Sequence, residues 1–274
     1  ISGALNNIGL IEGELGHYEA ARENLQESLD ISKRIGRRSG ITSSYTNLGG
    51  LARAEGKHEA AQQYYEQALT IQKEIGDRAG IAASLYGLGS LARMQGNFEE
   101  AKQRFKEALS IFKEIYYPAG IGSSLEDLAL VARLQGNYAE AMEYLQETLS
   151  VARELEDMNE VANALLNLGA VESIQGHYVE AQQFLTESLD INIEMGNRKG
   201  LARTYLYLGQ VALRLEDYEK AEEWFAEGLA INREFDNRTG IVTTMGGRIW
   251  AKALPDKGSE FGFSLPAYVD ELDM

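Results

Sequence analysis

Three arginines, Arg53, Arg93 and Arg133, recur at forty-residue intervals in a chain whose 26 basic and 42 acidic side chains leave a formal charge of −16. A guanidinium is a planar fork that takes a carboxylate through two parallel hydrogen bonds, so such a row suits acidic groups at regular spacing. The alternative is that these arginines pair with acidic neighbours such as Glu126 or Asp127 and only balance charge. Other reactive patterns fail on spacing. His17, His58 and His177 have no second ligand three or four residues away, which argues against zinc. The sequence has no G-x-x-x-x-G-K-[ST] loop, no G-x-S-x-G elbow and no G-x-G-x-x-G after a strand. Its carboxylates recur at helix-surface positions and read as solvated faces. No metal, no cofactor and no catalytic residue is assigned, and an enzyme is not expected.

Charge and composition narrow the partners. A strongly acidic chain disfavours general affinity for nucleic acid or an anionic membrane surface. No apolar run approaches the roughly 20 residues that span a bilayer, and no basic-then-apolar leader opens the chain. The lack of cysteine excludes disulfides and fits a reducing, cytoplasmic setting. Ile1 is not a natural initiator and the first copy opens in mid-pattern, so the chain is expected to be a piece of a longer protein.

The arginines owe their spacing to a repeat. "MQGNFEEA" at 94–101 returns as "LQGNYAEA" at 134–141, and the echo runs through six copies from "LGHYEAA" at 15–21 to "LEDYEKA" at 215–221. A fixed period of this length marks a stacked array in which each unit contacts only its neighbours. In residues 41–80, Ile41, Tyr45, Leu48 and Ala52 trace one helix face and Ala61, Tyr65, Ala68, Gln72 and Ile75 a second, with Gly56 between. Each copy is therefore a helical hairpin, with helices expected near 1–15 and 18–35 and then at forty-residue steps. Gly9, Gly49, Gly89, Gly169 and Gly209 recur mid-helix, where glycine costs about 1 kcal/mol against alanine. Close approach of two backbones is expected there, with the invariant Ala21, Ala61, Ala101, Ala141, Ala181 and Ala221 opposite.

"NLGGLARAEGKHEAAQQYYEQAL" at 47–69 resembles the tetratricopeptide repeat, through Leu48 and Gly49 in helix A and Ala61, Tyr65 and Ala68 in helix B. The forty-residue form is similar to repeats of kinesin light chains, GoLoco-type polarity adaptors and bacterial signalling or STAND regulators. The resemblance covers about residues 1–240 and implies an all-α, right-handed α-solenoid of six hairpins. The expected divisions are about 1–38, 39–78, 79–118, 119–158, 159–198 and 199–238. A capping helix is expected at 239–254, where Arg248 and Ile249 replace leucine and glycine of a failing seventh copy.

The resemblance further implies that helix A lines a concave groove. The groove phase then carries Arg53, Arg93 and Arg133, with Asn6, Thr46, Tyr86, Ser90 and Gln210 able to hydrogen-bond an extended peptide. The asparagine that polarity adaptors carry after the leucine-glycine pair is replaced here by Gly50, Ser90 and Ala170, and the lysine-asparagine clamp of chaperone-binding arrays is missing. The expected function is a non-catalytic scaffold binding an acidic protein or peptide ligand. The alternative is a sensor or regulatory module of a larger signalling protein. Loop arginines Arg38, Arg78, Arg198 and Arg238 are read as structural.

Residues 255–274 fall outside the period. "GSEF" at 258–261 looks like a linker, and "GFSLPAYVDELDM" like a short linear motif. Phe263, Leu265, Tyr268, Asp270, Glu271 and Asp273 are candidates for a tail motif that enters a groove and supports self-association.

Overall fold

The computed structural model describes residues 1–234, 249–254 and 258–263. Twelve α-helices among them follow the forty-residue period. The first unit, Ile1–Tyr144, holds α1 (Ser2–Glu14), α2 (Tyr18–Arg34), α3 (Arg38–Ala54), α4 (His58–Ile75), α5 (Arg78–Met94), α6 (Phe98–Glu114) and α7 (Pro118–Leu134). The second, Leu145–Met274, holds α9 (Met158–Gln175), α10 (Tyr178–Glu194), α11 (Arg198–Arg214) and α12 (Tyr218–Glu234). Helix α8 (Tyr138–Glu154) contains the division between the units. Within each unit, consecutive helices pack as hairpins and each hairpin stacks on the next.

The helices end where the sequence supplies left-handed turns. Gly36, Gly76 and Gly196 close helix B at φ of 68°, 70° and 62°, a region where a side chain is costly. Helix A then restarts on a cap: Asp77 accepts from the Gly80 amide at 2.9 Å and Asn197 from the Gly200 amide at 3.0 Å. Loop arginines brace the hairpins. Arg38 pairs with Glu74, Arg78 with Glu114 and Arg198 with Glu234, each tying the start of helix A to the end of helix B in its own repeat. Arg238 lies outside the described residues.

The mid-helix glycines are sites of close approach, although the alanines' methyl groups are not what they face. A Cβ on Gly9 or Gly169 would stand 2.7 Å from Leu25 or Leu185, and one on Gly89 2.9 Å from Phe105. The large residue one turn after each alanine fills the space, and the alanine backbone carbonyl stands beside it at Gly9 and Gly169. Helix B thus presents its bulk to a flat stripe on helix A, and Phe105 is fully buried as a result.

The expected capping helix over 239–254 is not formed at its C-terminal end. Residues Ile249–Leu254 are strand β1, paired antiparallel with β2 (Gly258–Phe263) in the register Ile249↔Phe263 to Leu254↔Gly258. Ile249 and Trp250 replace the glycine-centred helix A signal with strand-forming types, and Phe261 and Phe263 supply the same preference opposite. Residues 239–248 lie outside the described residues. The array itself is all-α.

Candidate functional site

The helix A face of the first unit gathers the predicted groove residues. Arg53 in α3, Arg93 in α5 and Arg133 in α7 occupy equivalent positions near the helix C-termini and are all half-buried. They differ in what they hold. Arg93 Nε lies 3.2 Å from Asp127 Oδ1 of α7, so the pairing with an acidic neighbour is realised at this rung. Arg53 and Arg133 have no carboxylate partner among the described residues. The Nε atoms of Arg53 and Arg93 are both shielded from water and make no hydrogen bond among the described residues, so the Arg93–Asp127 contact is an ion pair.

Arg53 sits against two tyrosines. Tyr65, from α4, is 3% exposed, and its phenol oxygen accepts a hydrogen bond from Arg53. It passes through a slot cut by glycine. A Cβ on Gly49 would stand 2.8 Å from the ring and one on Gly87 only 2.6 Å, while Gly50 faces the hydroxyl at 3.7 Å. Gly50, read from sequence as a missing asparagine, is therefore part of the space that admits the Tyr65 hydroxyl beside Arg53. Burial pushes the Tyr65 phenol above its usual range, opposed by the Arg53 charge.

The second tyrosine, Tyr86 of α5, donates to Asp127 Oδ2 at 2.6 Å. Burial raises its pKa first, and the Asp127 carboxylate adds to the shift; the phenol stays protonated through the neutral range. Asp127 thus takes Tyr86 on one oxygen and Arg93 on the other. Ser90 is buried and bonds the Tyr86 phenol, so its part is to orient Tyr86. Thr46 is engaged by Gln72 Nε2 at 3.3 Å, and Asn6 leaves its side-chain oxygen buried without a partner. Gln210 is exposed on α11 and belongs to the second unit, apart from the arginines. Phe263 ends strand β2; Leu265, Tyr268, Asp270, Glu271 and Asp273 lie outside the described residues.

Sequence reading missed a cavity of about 430 Å³ on the same face of the first unit. Asn6, Thr46, Asn47, Asp77, Phe112 and Tyr117 are among the residues that line it. One signal was available: "YYP" at 116–118 stands where two other loops carry glycine, a capping side chain and arginine, "GDR" at 76–78 and "GNR" at 196–198. Tyr116 takes a left-handed φ of 53°, where Gly36, Gly76 and Gly196 stand in three other repeats and Glu156 in a fourth, and is 89% exposed.

No described helix is long and apolar enough to cross a membrane, and no cluster of three or more metal-ligating side chains occurs among the described residues. The fold and face define a helical-repeat array presenting polar and charged side chains from successive helix A positions. The tetratricopeptide repeat family model matches residues 1–74, 40–114, 120–194 and 160–234, and the chain belongs to that family. Among solved structures it is similar to BtubC (BKLC) from P. vanneervenii, with 20% identity, 80% of this chain and 92% of that one covered, and a TM-score of 0.72. It is also similar to the STAND protein with a tetratricopeptide repeat sensor from Pyrococcus horikoshii, with 16% identity, a TM-score of 0.72, and 89% of this chain but 38% of that one covered. A third is the Rap conjugation gene regulator of plasmid pLS20 in complex with the Phr* peptide, with 18% identity, coverage of 75% and 57%, and a TM-score of 0.59. No curated protein matches the sequence.

Proposed function

We propose that the chain is a non-catalytic interaction scaffold whose helix A face binds an extended acidic peptide. The observation that carries this is the contrast among the three arginines. Arg93 is neutralised by Asp127, whereas Arg53 and Arg133 have no carboxylate partner among the described residues. The Arg53 guanidinium is half-buried and its hydrogen-bond partner is the neutral Tyr65 phenol, so a ligand carboxylate would supply the counter-charge it lacks. The Rap regulator shares the fold and was solved with a peptide bound, which supports a peptide as the ligand here.

The unpaired arginines are two repeats apart. Packed helices lie about 8–10 Å apart and an extended chain rises about 3.3 Å per residue, so one repeat spans roughly three ligand residues. Carboxylates about six residues apart would therefore meet Arg53 and Arg133, with the middle of the peptide over the Arg93–Asp127 pair.

The test is fluorescence anisotropy with acetylated, amidated peptides carrying two glutamates at separations of two to eight residues. Affinity is expected to peak near six and to weaken with salt, since exposed ion pairs are screened beyond a Debye length of about 8 Å. Equal affinity at all separations, unchanged in Arg53→Gln and Arg133→Gln, would overturn the reading.

A further inference from the structure

The geometry points to a second subsite in the first unit, the 430 Å³ cavity under Tyr117, as a receptor for a cationic side chain: the ammonium of lysine or the guanidinium of arginine. Its lining includes one carboxylate, Asp77, and no lysine or arginine. Asp77 commits Oδ1 to the Gly80 amide as helix cap, and no hydrogen bond to Oδ2 occurs among the described residues. Asn6 adds a buried side-chain carbonyl oxygen that accepts no hydrogen bond among the described residues. Phe112 and Tyr117 form the aromatic wall, with ring centroids 5.4 Å apart. A carboxylate, an orphaned amide oxygen and two ring faces are all electron-rich, so together they favour a cation over an anion.

The local sequence departs from the repeat here in ways that folding alone does not require. Phe112 stands where the preceding repeats carry Ser32 and Gln72, and Tyr117 where they carry Arg37 and Asp77. Pro118 replaces the arginine that braces Arg38–Glu74 and Arg78–Glu114. Tyr116 occupies a left-handed position that glycine would fill without strain. The 156–158 loop also lacks the glycine and the arginine but keeps its cap in Asp157, whereas the 116–118 loop gives up all three and places Tyr117 against the cavity.

Thr46 in the cavity and Arg53 lie seven residues apart on α3, about two turns or roughly 10 Å along the axis. The helix A face therefore has a basic margin near the helix C-termini and a cation-accepting margin near the N-termini. Successive side chains of an extended peptide point to opposite sides. A chain lying across the helices would set acidic residues toward the arginines and basic residues toward the cavity, in alternation. Only this alternation rests on the acidic-peptide reading; the cavity stands on its own residues.

The experiment uses the full chain and four amidated octapeptides: acetylated (Glu-Lys)4, (Glu-Gln)4 and (Ser-Lys)4, and a (Ser-Gln)4 with free N-terminus. Acetylated (Ser-Lys)4 carries no acid and tests the cavity alone. The free-amine peptide separates an α-ammonium from a side-chain cation. Asp77→Asn keeps the cap, because Asn197 caps α11 in the equivalent position. Tyr117→Leu removes the ring without changing charge. Binding of (Ser-Lys)4 is expected to weaken about fivefold in each variant, and (Glu-Lys)4 to bind about fivefold tighter than (Glu-Gln)4. Arg53→Gln should weaken (Glu-Gln)4 while leaving (Ser-Lys)4 unaffected. Indifference of (Ser-Lys)4 to both Asp77→Asn and Tyr117→Leu, no binding of it at all, or preference for the free-amine peptide would overturn the cavity assignment. Loss of the Arg53 effect alone would overturn only the acidic-peptide reading.

Discussion

Arg93 and Asp127, 34 residues apart in sequence and one repeat apart in the array, stand 3.2 Å from each other, and Tyr86 closes on the other carboxylate oxygen. Both partners are largely covered, with side-chain exposures of 27% and 13%. The pair removes one rung from an otherwise continuous basic row. Asp127→Asn keeps an acceptor for Tyr86, deletes the charge and releases Arg93. Affinity for an acidic peptide is expected to rise by about fivefold, the equivalent of about 1 kcal/mol for a partly buried charge. Anisotropy titration checks this, and an unchanged or lowered affinity would place Arg93 outside the ligand's reach.

The glycine stripe makes a prediction about stability. A methyl on Gly89 would fall 2.9 Å from the ring of Phe105, a side chain with no room to retreat because it is fully buried. Gly89→Ala should therefore destabilise the array by about 1–3 kcal/mol through overpacking, despite alanine's better helix propensity. At Gly122, which has nothing within 4 Å, the same change should be neutral or stabilising. Denaturant melts should show a lowered midpoint for Gly89→Ala and an unchanged or raised one for Gly122→Ala.

The forty-residue period alone carried the helix count, the hairpin pairing and the phase of Arg53, Arg93 and Arg133. Each of these depends on local spacing that repeats six times. The period could not say which arginine is neutralised. Glu126 and Asp127 are adjacent, about 100° apart around α7, and only the packed structure shows that Asp127 faces Arg93. The cavity was illegible for a related reason: Asn6, Asp77 and Tyr117 come from three repeats and share no motif. The C-terminal segment misled because the phase of Ile241 continues the repeat into residues whose strand preference then wins at 249–254.

Tyr116 offers a test of whether the aromatic loop is kept at a cost to stability. Its φ of 53° costs an L-residue about 1–2 kcal/mol relative to glycine, against roughly 0.5–1 kcal/mol of extra chain entropy for glycine. Tyr116→Gly should raise the melting temperature slightly, and its 89% exposure means that little packing is lost. A lower melting temperature would show that the ring contributes to folding in the free protein.

Acid should loosen the first unit through Glu140. Lys102 Nζ lies 2.5 Å and Lys106 Nζ 3.7 Å from its carboxylate, and Tyr144 donates to it at 3.0 Å. The Lys102 hydrogen bond, ahead of the opposing effect of burial, holds the Glu140 pKa below the ordinary glutamate value. A carboxylate with a depressed folded-state pKa stabilises fully above its unfolded pKa of about 4.3, and that contribution is lost as pH falls through the lower folded value. The Tyr144 phenol is pushed up to about 12, first by burial and then by Glu140, so it remains a donor throughout. Lys102→Met should therefore cost about 1 kcal/mol or less at pH 7, and the penalty should vanish in strong acid, once Glu140 is protonated in the folded protein. Urea melts of wild type and variant at pH 7 and in strong acid would show converging midpoints. A difference that persists at low pH would mean that Lys102 acts through its packed methylenes instead of its charge.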